Sequence, residues 1–172
     1  MAAQKIALVT GGARGIGEAI CRVLAERGHK VVVSDVNGDG AAALARELGG
    51  YGIQMDVTKP DSVTAAVARI NRDVGVPWLV VNNAGWDNLM PFLDTDEAFQ
   101  EKVIAINYAG PVRVCRAALP GMIGLGSGRI ANIASDAYLV RSIDGDKREV
   151  LSVGRIPGVN IPEIRQPDRA AG

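Results

Sequence analysis

The sequence predicts an α/β domain with a Rossmann-like, doubly wound parallel sheet, and three observations carry that expectation. Short runs rich in Val and Ile recur along the chain, each followed by a longer stretch with helical periodicity. A glycine-rich turn, Thr10-Gly11-Gly12-Ala13-Arg14-Gly15-Ile16-Gly17, follows the first run directly. An acidic residue, Asp35, ends the second run about 20 positions further on, the spacing of a dinucleotide-binding βαβ unit.

Each element has its own signal. Lys5–Val9, Lys30–Ser34, Gly52–Met55, Trp78–Val81 and Arg129–Ile133 read as strands, short and apolar throughout, as strands covered on both faces are. Helices are expected over Ile16–Arg27, Ala41–Leu48 and Pro60–Val74, with two more within Asp94–Met122. The third is the best marked: Thr58 and Asp61 have capping-box spacing, and Val63, Val67, Ile70 and Val74 line one face. Strand alternating with helix implies parallel strands joined by right-handed crossovers, with ligands at the carboxyl ends of the strands. Residues 1–137 therefore read as one Rossmann-like dinucleotide-binding domain. Residues 138–172 carry Pro157, Pro162, Pro167 and scattered charges without an amphipathic helix, and read as an irregular tail.

Composition narrows the function classes. The chain has 172 residues, 48% hydrophobic and 22% charged, with 19 Lys+Arg against 19 Asp+Glu. A domain of that size buries roughly 70% of its unfolded surface and needs no disulfide or metal to hold its core. No basic stripe points to a nucleic-acid partner. Cys21 and Cys115 lie far apart, outside any metal-ligand spacing, and read as small core hydrophobes in a reducing compartment. The only histidine, His29, sits between Gly28 and Lys30 and reads as a surface turn, so no metal cluster is expected. No apolar stretch is long enough for a membrane span or a leader, which makes a cytoplasmic protein the expectation. The 21 glycines remain as the one compositional excess.

The glycine turn explains part of that excess. Gly11, Gly15 and Gly17 let backbone turn tightly and let a phosphate approach the amides at a helix N-terminus. Asp35 as a carboxylate would accept charge-assisted hydrogen bonds from ribose hydroxyls, each of order 1.5–3 kcal/mol. It would repel a 2′-phosphate, and Val36 and Asn37 offer no compensating cation, so NAD is expected over NADP. Arg14 is the contrary signal, because a guanidinium in the turn could reach such a phosphate.

These residues resemble the short-chain dehydrogenase/reductase family. TGGARGIG resembles its TGxxxGxG cofactor turn, with Arg14 and Ile16 inside it, and Asn82-Asn83-Ala84-Gly85 is similar to its NNAG motif. Asp56-Val57 matches its adenine-contacting position, Asn107 its helix-borne active-site Asn, and Asn132-Ile133-Ala134-Ser135 sets Ser135 where its catalytic Ser stands. The resemblance covers roughly residues 4 to 137. It implies an NAD-dependent oxidoreductase that moves hydride between the nicotinamide and a secondary alcohol or ketone, in a homo-oligomer. Ser135 would polarise the carbonyl and Asn107 would hold a water in a proton relay. Asn82–Pro91 further resembles family members acting on acyl thioesters. Bland readings stand beside these: Asp56 and Asn83 as turn-formers, Asn107 as a satisfied structural amide, Ser135 as a strand-end hydroxyl.

The pattern departs from the family after Ser135. The family's acid/base is a Tyr with a Lys four residues later; here the corresponding positions are Arg148 and Ser152. Tyr51, Tyr108 and Tyr138 are followed at that distance by Met55, Val112 and Ser142. Tyr138 is the nearest substitute phenol. The family's sixth strand is also missing from the pattern, so the expected sheet lacks its last strands. The alternative reading is a dinucleotide-binding module or truncated pseudoenzyme without hydride transfer.

Overall fold

A computed structural model describes residues 4–88, 90 and 92–134. The chain runs β1 (Ile6–Thr10), α1 (Gly15–Glu26), β2 (Lys30–Asp35), α2 (Gly38–Glu47), β3 (Tyr51–Gln54), α3 (Pro60–Asp73) and β4 (Leu79–Asn82). A 3-10 turn at Phe92–Asp94 follows, then α4 (Glu97–Asn107), α5 (Ala109–Gly124) and β5 (Arg129–Asn132). The strands form one five-stranded parallel sheet in the order β3-β2-β1-β4-β5. The order reverses between β1 and β4, which puts a crevice at their carboxyl ends. This is the Rossmann-like fold the sequence predicts.

Strand alternation sends successive side chains to opposite faces and so builds two cores. Leu8, Val32 and Val80 pack with Val63, Val67 and Ile70 of α3 and Val114 and Met122 of α5. Val9, Val31, Val33 and Val81 pack on the other face with Cys21 of α1 and Ala41 and Leu44 of α2. Each large apolar side chain so buried contributes of order 1.5–3 kcal/mol before entropy is set against it. Cys21 behaves as the expected core residue, its thiol pushed up to about 12 chiefly by burial.

Several local expectations need correction. Thr58 and Asp61 do not form a capping box: α3 begins after Lys59 with no side-chain cap, and Pro60 occupies its first turn. Thr58 instead gives both its amide (2.9 Å) and its hydroxyl (2.7 Å) to Asp56 Oδ1. A side chain that already serves the preceding turn is not free to cap the following helix. Helix α2 starts at Gly38 rather than Ala41, because Asn37 Oδ1 accepts from the Gly40 amide at 3.1 Å and caps it. Cys115 is half-buried rather than core, and Asn82 Nδ2 donates to its Sγ at 3.4 Å. His29 is not a plain surface turn either; it is half-buried and stacks on Trp78 at 6.2 Å.

Candidate cofactor site

The site is assembled where β1 ends beside β4. Thr10 is buried, and its Oγ1 accepts from the Asn83 and Ala84 amides at 3.0 Å each. Asn83 Nδ2 returns the tie by donating to the Thr10 carbonyl (3.1 Å) and the Gly11 carbonyl (3.0 Å). Four hydrogen bonds thus fasten the first residues after β4 to the start of the glycine turn. Thr10 was not among the residues singled out by sequence. A hydroxyl-bearing β-branched residue that ends a strand just before a glycine turn is the signal that could have found it.

The turn owes its path to glycine at particular positions. A Cβ on Gly17 would collide with the Gly11 carbonyl oxygen and lie 2.6 Å from Asn83 Nδ2. A Cβ on Gly11 would come within 2.8 Å of Ala84 Cα, and its φ of 61° is in the left-handed region. The chain then enters α1 through Arg14, whose backbone is extended and whose side chain does not cap the helix. The first-turn amides of α1 therefore lack a side-chain acceptor, which makes them donors for an anion. Ile16 stands exposed beside them.

Asp35 closes the far side. Its Oδ2 accepts from the Ala13 amide and its Oδ1 from the Asn37 amide, both at 3.0 Å. The carboxylate is thereby fixed at the end of β2, and each oxygen keeps accepting capacity for a further donor. Among the described residues, Arg14 makes no ion pair.

Asp56 lies past β3 and is held below the usual carboxylate range, first by the Thr58 hydroxyl. Its amide donates to Ser62 Oγ at 3.0 Å, and Lys59 Nζ is 3.5 Å from Oδ2. Its described contacts are thus those of a turn-former. Val57 turns its side chain into the core, and its carbonyl accepts from Arg113 at 3.2 Å.

On the β4 side, Gly85 and Trp86 pass directly over Asn107. Asn107 Oδ1 accepts from the Trp86 amide (2.9 Å) and its Nδ2 donates to the Trp86 carbonyl (2.8 Å), so the side chain pairs with backbone as another peptide would. Both ends of the amide are thereby engaged with the Trp86 backbone. The Trp86 indole packs on Phe99 at 5.3 Å, with Lys102 Nζ 3.7 Å above its ring. Asn82 and Asn132 pair across β4 and β5 at 2.8 Å, a link the sequence reading left unremarked. The structure thus brings Gly11, Gly15, Ile16, Gly17, Asp35, Asn83, Ala84, Gly85 and Asn107 to one end of the sheet. Ser135 and Tyr138 lie outside the described residues, as do the tail and the Arg148 and Ser152 positions. Among the described residues, no helix is long and apolar enough to cross a membrane and no metal-binding group of His, Cys, Asp or Glu converges.

Comparison with known proteins follows the same outline. A family model described as short chain dehydrogenase matches residues 5–145. The 3-oxoacyl-[acyl-carrier-protein] reductase FabG of Vibrio harveyi is 41% identical over 135 residues, 76% of this chain and 54% of that protein. The oxidoreductase UcpA of Salmonella typhimurium is 39% identical over 160 residues, 90% of this chain and 60% of that protein. A crystal structure titled ribose-5-phosphate isomerase from Brucella melitensis superposes with a TM-score of 0.73 at 34% identity, covering 76% of this chain and 51% of that one. The chain spans about half the length of the curated relatives it matches. These names differ in chemistry, and the family match over residues 5–145 shows that the chain belongs to the short chain dehydrogenase family.

Proposed function

We propose that this chain binds NAD along the carboxyl ends of β1, β2 and β4, as the nucleotide-binding part of an oxidoreductase acting on secondary alcohols or ketones. The observation that carries the reading is the glycine turn. A side chain at Gly11 would strike Ala84 and one at Gly17 the Gly11 carbonyl, so glycine keeps the turn tight, and no side chain caps the helix that opens behind it. Pyrophosphate oxygens would receive the α1 amides, and Asp35 would receive the adenosine ribose hydroxyls. Asp56 would stand by the adenine, and the backbone of Asn83 to Gly85 by the nicotinamide ribose. When bound, the dinucleotide supplies the hydride acceptor or donor. Asp35 supports NAD over NADP, since a fixed carboxylate repels a 2′-phosphate. The relative named 3-oxoacyl-[acyl-carrier-protein] reductase supports oxoacyl or hydroxyacyl thioesters as the substrate class to test first. Ser135, with Tyr138 as the nearest tyrosine along the sequence, would act on the substrate carbonyl.

A second reading is a dinucleotide-binding module without turnover. Its specific support is that none of the three tyrosines has Lys four residues on. Calorimetric titration with NAD, NADH, NADP and NADPH, followed by absorbance assays on a panel of alcohols, ketones and thioesters, separates the two. Binding with turnover supports the enzyme, and binding alone supports the module. Absence of binding rejects both. Within the same assay, Asp35→Ala should shift the NAD-to-NADP affinity ratio at least about tenfold toward NADP. Unchanged turnover in Tyr138→Phe would remove that phenol from the chemistry.

A further inference from the structure

The end of the sheet opposite the glycine turn holds a second concave surface, of about 600 Å³, walled in part by Lys5, Val76, Trp78, Leu125, Ser127 and Arg129. Lys5 precedes β1, Trp78 precedes β4 and Arg129 opens β5, so all three sit at the amino ends of neighbouring parallel strands. Backbone hydrogen bonds fix the positions: Trp78 N–H to the Ile6 carbonyl at 2.9 Å and Arg129 N–H to the Trp78 carbonyl at 2.8 Å. Two cations converge on the one indole, Lys5 Nζ at 3.8 Å and the Arg129 guanidinium carbon at 5.8 Å from its centroid, and His29 stacks against it as well. Among the described residues, no carboxylate lies within 4.0 Å of either cation. Both cations are exposed, which screens their mutual repulsion, and each keeps N–H donors for charge-assisted hydrogen bonds to a bound anion, one of Arg129's being spent on the Gly128 carbonyl at 2.9 Å. The rest of the wall, Val76 and Leu125, is apolar and suits a flat hydrocarbon body, and the volume is in the range of small-molecule sites.

We propose that this surface binds a small aromatic anion, with a ring lying against Trp78 and its apolar neighbours and a carboxylate or phosphate between Lys5 and Arg129. The five residues of β1 separate it from the glycine turn by about 16 Å, so the two sites are distinct. The test is tryptophan fluorescence of the full chain carrying Trp86→Phe, which leaves Trp78 as the reporter, repeated by calorimetry on the unaltered chain. Phenyl phosphate, benzoate and neutral benzyl alcohol are the probes, with and without saturating NAD. Saturable binding of at least one anion, weakened by added salt and unaffected by NAD, is the expected result. The ratio of the two anions tells phosphate from carboxylate. Lys5→Met/Arg129→Met keeps the long apolar stems and should weaken binding at least about tenfold. If that variant does not fold, the salt dependence of the parent and the single Lys5→Met change carry the test. No saturable binding, equal binding of benzyl alcohol, full competition by NAD or undiminished binding to the Met variants would each overturn the proposal.

Discussion

The two halves of the sheet are finished to different degrees. On the β1–β2 side, four of five residues in β1 and four of six in β2 are buried, and the turn that follows β1 is locked by side-chain and backbone hydrogen bonds. On the β5 side, three of four strand residues are exposed, α4 buries none of its residues, and Ile104, Val112, Ile123, Ile130 and Ile133 face solvent. A parallel strand is stable when helices cover both faces, so exposure at β5 marks the half whose surroundings the described residues do not complete. The difference assigns consequences. Changes on the first side should alter cofactor affinity and global stability, and changes on the second should act locally.

The sharpest break of that contrast is Gly17→Ala. The added methyl meets the Gly11 carbonyl and Asn83 Nδ2, neither of which can yield without opening the turn. A loss of about 3 kcal/mol, or roughly a hundredfold in NAD affinity by calorimetry, is expected. Gly15→Ala is its internal control: φ is +57° but the space around it is open, so backbone strain of about 1–2 kcal/mol is the whole expected cost. Equal effects from the two would show that the turn is not held by the packing described here.

Asn83→Ala comes next. It removes the two donations to the Thr10 and Gly11 carbonyls and leaves both acceptors half-enclosed, an expected loss of about 2–3 kcal/mol in urea unfolding together with weaker NAD binding. Asn107→Ala removes the two described hydrogen bonds to the Trp86 backbone, but on the less covered side. Water can replace part of the clamp there, so about 1 kcal/mol is expected, with a red shift in Trp86 emission and NAD affinity unchanged within twofold, roughly 0.4 kcal/mol. A stability loss as large as that of Asn83→Ala would erase the distinction between the halves.

The smallest effect is read in acid. Asp56 has its carboxyl held below the ordinary 3.8 in the folded chain, first by the Thr58 hydroxyl and then, against an opposing burial contribution, by the Thr58 amide and Lys59. A depressed folded value gives stability that is present above pH 3.8 and is lost as pH falls through the folded value. Asp56→Asn should therefore be less stable than the parent at neutral pH, and the two should converge at the acid end of a urea–pH series. A gap that widens on acidification would reverse the assigned sign.

Much of this was legible before any coordinates because the signals were local. Short β-branched runs in β1, β2 and β4, bounded by turn residues, read as covered strands, and Val63, Val67 and Ile70 recur at helical spacing on α3 and are buried. The misreadings share one physical cause. Thr58, Cys115 and His29 each had a plausible local role, cap, core or turn, and each was claimed by a neighbour: Asp56 two residues back, Asn82 at the end of β4, and Trp78 on β4's approach. A short polar side chain goes to the partner that geometry offers, and sequence distance does not reveal that partner.

The sequence by itself determined the alternation of strand and helix, the glycine turn and the acidic residue that follows it. Those depend on side-chain period and on φ values open only to glycine, which are properties of a few adjacent residues. Tertiary structure decided that Thr10 and Asn83 tie the two central strands together across 73 positions of chain, that Asn107 grips Trp86, and that Lys5, Trp78 and Arg129 meet at the far end of the sheet. Such contacts join residues brought together only by strand order and register, and a linear pattern carries no record of which strands become neighbours.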